Sequence, residues 1–140
     1  MKFYNEKAET MPRSEIVAHQ NVAVKNIVRY CYANNGYFKA KFDEAGVNPD
    51  SFNGLEDLHK LPFMSKKDFR EQYPMGMCCV DKKQIAEMHM SRGSTGTPVV
   101  MPYTLKDLNQ WAECMARCYV MAGAEAGDVC QITPGFGLFN

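Results

Sequence analysis

Apolar residues recur at the period of an α-helix in the first third of the chain. Those between positions 16 and 31 predict an amphipathic helix with Ser14 as its N-cap. The turn-forming run Asn34-Asn35-Gly36 is expected to end this helix. A shorter set of aromatic and aliphatic residues predicts a second helix over 37–45, with its end near Gly46.

The middle of the chain is divided by turn residues and a capping motif. Asn, Pro, Asp and Gly residues at 48–54 predict turns, and a compact apolar segment follows at 55–63. Ser65 and Asp68 have the spacing of a capping box, which predicts a helix that reaches about position 73 and is stopped by Pro74.

The second half of the chain alternates between strand-like and helix-like patterns. Residues 84–90 and 99–101 predict two strands that the intervening loop joins as a hairpin. Thr104 and Asp107 form a second capping box, followed by a long helix that ends at Gly123. That helix is expected to bury one stripe of side chains, which comprises Leu108, Trp111, Ala112, Met115, Tyr119 and Val120.

A final apolar run at 129–132 predicts a buried strand followed by another turn. The order of a helical start, then strand, loop, strand, helix and strand, predicts an α/β fold. The apolar C-terminal end has no covering element in the sequence, so we expect either a homo-oligomer or a missing C-terminal portion to cover it.

Composition narrows the function classes. Sixteen basic and sixteen acidic residues cancel, so neither nucleic acid nor an anionic membrane is expected as a partner. The sequence has no stretch typical of a signal peptide or a membrane span, which predicts a cytoplasmic protein. The six cysteines have neither CxxC spacing nor a histidine pair to complete a zinc site, so we expect reduced and mostly buried thiols.

Small and hydroxylated residues fill the loop between the two predicted strands, Ser91-Arg92-Gly93-Ser94-Thr95-Gly96-Thr97-Pro98. The glycines let a ligand approach the main chain, and amides with hydroxyls can surround an anion such as phosphate. The same residue types are common in tight turns. The run also lacks the Gly-Lys-Ser/Thr of a P-loop and the third glycine of a dinucleotide motif. The residues alone leave a turn and a phosphate loop both open.

Four separated stretches resemble the phenylacetate–CoA ligase family of adenylate-forming enzymes. They are YFKAKFDEAG at 37–46, LEDLHKLPF at 55–63, His89 through Thr104, and Gly127 through Phe139. Their order agrees with the N-terminal part of that family alone. The resemblance implies an incomplete N-terminal large domain over 1–140, with a helical region at about 1–80 and a phosphate-loop α/β region at about 81–140.

The resemblance also implies the site residues. In this family the loop has the form S-S/G-G-T-T-G-K-P and holds ATP phosphates, which here assigns phosphate binding to Ser91, Gly93, Ser94, Thr95, Gly96 and Thr97. Thr97 stands where the family has lysine, and Arg92 is a candidate to restore some of the lost charge. Phe136 corresponds to a residue of the acyl pocket, with an ordinary core phenylalanine as the alternative. None of these residues is expected to be a covalent nucleophile, because the sequence offers no organised base partner, and no metal ligand is assigned.

The implied reaction has two steps. A small aromatic or related carboxylic acid attacks the α-phosphate of ATP to form an acyl-adenylate, and the CoA thiol then displaces AMP. Mg²⁺ is the implied cofactor. The chain alone is expected to be inactive as an N-terminal fragment of such a ligase. The alternatives are a noncatalytic assembly module or truncated remnant of the same fold, and a relative that transfers the acyl group to an acceptor other than CoA.

Overall fold

The computed structural model describes residues 2–91 and 96–133. Within these residues the helices are α1 (Glu6–Glu9), α2 (Arg13–Asn34), α3 (Gly36–Glu44), α4 (Lys66–Glu71) and α5 (Leu105–Met121), with 3-10 turns at Gly54–Lys60 and Lys82–Gln84. Strands β1 (Ile85–Met90) and β2 (Val100–Thr104) pair antiparallel, with Met90 opposite Val100. The predicted hairpin and the mixed helix and strand class are therefore confirmed.

The described residues before β1 contain only helices and 3-10 turns as regular elements, and we call them the helical half. The hydrophobic core of the described chain lies in this half. Its buried side chains are Val28 of α2, Phe42 of α3, and Val47 and Phe52 of the segment that follows. Val28 is the most enclosed, with 2% of its surface exposed. The helical periodicity of α2 explains this arrangement, because Val28 lies on the side of α2 that faces α3 and the 3-10 turn at 54–60.

Asn35 connects three parts of the helical half. Its backbone N–H donates to the Cys31 carbonyl at the end of α2, and its Oδ1 accepts from the N–H groups of Tyr37 and Phe38 at the start of α3. Its Nδ2 donates to the carbonyls of Gly76 and Cys78, at 2.9 and 3.0 Å. The predicted break is thus confirmed, and the same side chain also holds the segment that precedes β1.

Two predicted helix ends were wrong by about two residues. Helix α2 begins at Arg13 rather than after Ser14, because the Pro12 carbonyl already accepts from the N–H groups of Glu15 and Ile16. A proline is tolerated at this end because the first helical N–H groups have no partner within the helix. Helix α4 ends at Glu71, two residues before the predicted limit. The predicted capping boxes at the starts of α4 and α5 are both present.

The predicted burial of the C-terminal part was wrong for the described chain. No residue of α5 is buried, and Trp111 and Tyr119 are 44% and 51% exposed. Residues 129–132 do not form a strand, and Val129 is 97% exposed. The physical reason is that a strand needs a hydrogen-bonded neighbour and an apolar helix face needs a covering element. Within the described residues, α5 packs mainly against β1 and β2.

The cysteines also differ from the prediction. All six are free, but Cys114, Cys118 and Cys130 are exposed, and Cys31, Cys78 and Cys79 are only partly buried. The exposed thiols belong to α5 and the segment after it, so their exposure has the same cause as that of the surrounding apolar side chains.

Asp68 links α4 to α3 and makes the stability of this junction dependent on pH. The Tyr37 hydroxyl donates to Asp68 Oδ1 at 2.7 Å, and the Ser65 N–H and hydroxyl both donate to Oδ2. These bonds, the Tyr37 bond first, hold the pKa of Asp68 far below its ordinary value. Because the folded carboxylate holds its proton less tightly than the unfolded one, protonation favours unfolding.

We expect the Asp68 contribution to be complete above about pH 4, the ordinary aspartate range, and to disappear as the pH falls through the folded pKa. Asp68→Asn should therefore lower the urea midpoint at pH 7, and the gap between the variant and the parent should narrow toward pH 3. Asp50→Asn, in an exposed turn, is the control. An Asp68→Asn gap that stays constant between pH 7 and pH 3 would contradict the prediction.

Candidate phosphate-binding loop

The loop between β1 and β2 is closed at its base by two hydrogen bonds. The Ser91 N–H donates to the Val99 carbonyl at 2.9 Å, and the Val99 N–H donates to Ser91 Oγ at 3.0 Å. Ser91 Oγ thus acts as an acceptor in the hairpin, while its hydroxyl hydrogen can still be donated elsewhere. This geometry fixes where the loop begins and ends.

Gly96 and Thr97 form the described part of the loop on the β2 side. Both are exposed. Gly96 has a φ of +134°, which L side chains rarely adopt, and a Cβ built on it would meet no described atom within 4 Å. The backbone is therefore open to a ligand on this side.

Three of the six residues predicted to bind phosphate are thus described: Ser91, Gly96 and Thr97. The predictions for Gly93, Ser94 and Thr95 lie outside the described residues, as do those for Arg92 and the acyl-pocket residue Phe136. The phosphate-binding role of all six stays a prediction.

Arg70 of α4 reaches this loop, although sequence reasoning did not select it. Its Nε–H donates to the Thr97 carbonyl at 3.2 Å, and the side chain is partly buried. The two residues are 27 positions apart in sequence. No motif spacing connects them, so the contact depends on where the tertiary structure places α4.

His89, Tyr103 and Trp111 form an aromatic cluster below the loop. The rings of His89 and Tyr103 meet edge to face at 5.2 Å, and Trp111 lies 5.6 Å from His89 and 5.4 Å from Tyr103. His89 Nε2 is 2.8 Å from Glu87 Oε1. These contacts favour a packing role for His89 at the end of β1, and they join α5 to the strands that carry the loop.

A cleft of about 1060 Å³ lies beside β2, between it, α2 and residues 72–80. Its wall includes Cys78 and Cys79, next to Tyr30, whose hydroxyl donates to the Cys79 carbonyl. Burial raises the pKa of Cys31, and that of Cys79 to about 12, so both thiols are protonated near neutral pH. Protonated thiols are poor nucleophiles, which disfavours covalent chemistry at Cys79.

Neither a metal centre nor a membrane span can be assigned in the part of the chain that the structure describes. No three His, Cys, Asp or Glu side chains there are grouped so that they could hold a metal ion. We therefore assign no residue of this part to Mg²⁺. Across residues 2–91 and 96–133, no helix has the length and hydropathy to cross a membrane.

The chain is similar to known CoA ligases over almost its whole length. The chain is 41% identical over 137 residues to the phenylacetate-coenzyme A ligase of Thermus thermophilus and 42% identical over 135 residues to that of Aromatoleum evansii. These matches cover 98% and 96% of this chain and 31% of each relative. No family model matches the chain.

The comparison of structures also shows similarity to a CoA ligase. A crystal structure of 2-hydroxyisobutyryl-CoA ligase in an open conformation, in complex with 2-HIB-AMP and CoA, matches 87% of this chain with a TM-score of 0.77 and 27% identity. The match covers 29% of that chain. The described chain therefore has the fold of part of an adenylate-forming CoA ligase. More particularly, its sequence is that of a phenylacetate–CoA ligase relative, and the predicted resemblance is confirmed.

Proposed function

We propose that this chain is the N-terminal part of an ATP-dependent acyl- or aryl-CoA ligase, and that its β1–β2 loop binds the phosphates of ATP. The observation that carries the proposal is the match of 41% identity to a phenylacetate–CoA ligase over 98% of the chain, loop included. The chain spans 31% of that relative, so the activity belongs to a longer polypeptide. We place that ligase in the cytoplasm, and an aromatic carboxylic acid, ATP and CoA are its proposed substrates.

In this proposal the loop acts as a positioning and electrostatic element. Its backbone N–H groups and hydroxyls hold the phosphates while the carboxylate of the acid attacks the α-phosphate. The two hydrogen bonds between Ser91 and Val99 fix the base of the loop before the nucleotide binds. The open backbone at Gly96 allows a close approach of the phosphate oxygens. None of these residues forms a covalent bond to substrate.

A chimaeric ligase tests this function. The 137-residue stretch of this chain that matches the Thermus thermophilus enzyme would replace the corresponding segment of that enzyme. The release of AMP and pyrophosphate would be measured with phenylacetate, ATP and CoA. We expect turnover from the chimaera and none from the 140-residue chain alone. A matched chimaera with valine at Gly96 is the inactive control. A folded chimaera that releases no pyrophosphate with any aryl or acyl carboxylate would contradict the proposal.

A second candidate is a noncatalytic assembly module, favoured by the exposed apolar side chains of α5 and by Val129 and Ile132. In that case the chain would form a stable homo-oligomer without binding nucleotide. Sedimentation of the purified chain, with and without ATP, separates the two candidates. A defined oligomer with no affinity for ATP would favour assembly, whereas ATP binding would favour the ligase.

A further inference from the structure

Arg70 places a positive charge at the β2 side of the candidate loop. Its guanidinium is fixed there by the bond from Nε to the Thr97 carbonyl, at 3.2 Å. Thr97 is exposed, and Gly96 beside it has the open backbone described above. An arginine from a different helix is thus held against the part of the loop where a ligand has access.

A positive charge from Arg70 is important here because of the residue types in the loop. The run from Ser91 to Pro98 contains no lysine, and its one cationic residue is Arg92. Amides and hydroxyls bind a polyphosphate more strongly when a further cation lies beside them. Arginine suits phosphate because its guanidinium is planar, remains charged at all physiological pH values and has weak hydration.

We propose that Arg70 is a phosphate-binding residue of this protein, adding from α4 a positive charge to a loop whose own sequence has no lysine. The inference rests on the proposed function, since it takes the loop as the phosphate site. It adds to that function a ligand-binding residue outside the loop, and it makes the position of α4 part of the site. The Thr97 carbonyl then has a definite role, which is to orient the guanidinium.

The alternative is that Arg70 only tethers the loop. Substitutions of Arg70 can distinguish the two roles, because they can remove its charge and its N–H donor separately. Arg70→Gln removes the charge but keeps an N–H group that can donate to the Thr97 carbonyl, whereas Arg70→Lys keeps the charge. Arg70→Met removes both. A tether alone would tolerate glutamine, and a phosphate-binding charge would not.

The test uses the 140-residue chain and inorganic tripolyphosphate, which needs no adenine or ribose contacts. Isothermal titration calorimetry at low and moderate salt would give the affinity of each variant. We expect Arg70→Gln and Arg70→Met to weaken binding about tenfold and to reduce its salt dependence, and Arg70→Lys to stay within about threefold of the parent. Adding Thr97→Lys to the Arg70→Gln variant should restore most of the lost affinity.

The matched control is Lys67→Gln, which removes the same charge from the same helix. Lys67 pairs with Glu71 and its side chain is 83% exposed, so tripolyphosphate affinity should not change. Circular dichroism would confirm that every variant is folded.

The outcomes separate the inference from the function on which it rests. If the parent chain binds tripolyphosphate and Arg70→Gln binds equally well, the inference is wrong and the phosphate loop stands. An equal loss in Lys67→Gln and Arg70→Gln would overturn it too, since the effect would be that of net charge. If the parent chain does not bind tripolyphosphate at all, the proposed phosphate role of the loop fails, and the inference fails with it.

Discussion

Replacement of Phe42 by alanine is expected to unfold much of the helical half of the chain. Phe42 is 8% exposed and packs in the core formed by Val28, Val47 and Phe52. Removing a buried phenylalanine side chain costs about 3–5 kcal/mol, through lost burial and the cavity left behind. That is a large share of the stability of a small domain, typically about 5–15 kcal/mol. The core is small, so few neighbouring side chains can close the cavity.

Urea unfolding followed by far-UV circular dichroism measures this effect, because most of the described helix lies in the affected half. Phe63→Ala is the matched control, since Phe63 is fully exposed in the described chain and its loss should change stability by less than about 0.5 kcal/mol. Similar midpoints for the two variants would show that the core lies elsewhere.

Local signals in the sequence predicted local structure well. Thr104 and Asp107 predicted the start of α5, and both side-chain bonds of that capping box are present. The Asn34-Asn35-Gly36 break and the hairpin were also predicted, since each depends on residues near one another in sequence. The start of α2 was missed because Ser14 is a better N-cap by type than Pro12, while the Pro12 carbonyl already accepts the first helical hydrogen bonds.

Periodicity indicates which side of an element is apolar, but not what covers it. Trp111, Met115 and Tyr119 of the predicted α5 stripe, and Val129 and Ile132 of the predicted strand, are apolar but exposed in the described chain. The chain spans only 31% of the Thermus thermophilus relative, so a covering element from a longer polypeptide agrees with the proposed function. Burial depends on the complete set of packed elements, and a pattern within one element does not contain that information.

The candidate site was predictable only in part, for the same reason. Composition drew attention to the loop from Ser91 to Thr97, and the resemblance gave it a ligand. The contact from Arg70 to Thr97 joins residues 27 positions apart on different elements, so it depends on tertiary packing. The cluster of His89, Tyr103 and Trp111 is similar, because the three rings come from β1, β2 and α5. The arginine contact and the aromatic cluster beside the loop therefore both involve residues from outside it.

Gly96→Val is expected to abolish phosphate binding by the loop. At a φ of +134° valine is strained, at a cost of the order of 1–3 kcal/mol, although its Cβ would clash with no described atom. The backbone is expected to relax toward an ordinary φ and to turn the adjacent N–H groups away from the ligand. We expect tripolyphosphate affinity to fall at least tenfold, measured by calorimetry, while the circular dichroism of the helical half stays unchanged.

The matched control is Gly36→Val, which adds the same side chain at the start of α3, where a Cβ also meets nothing within 4 Å and φ lies outside the strained range. Its affinity for tripolyphosphate should equal that of the parent. If Gly96→Val binds as tightly as the parent, the loop has no part in phosphate binding. If both variants lose affinity, the cause is a general loss of structure. A selective loss in Gly96→Val alone would link phosphate binding to the backbone conformation of this one residue.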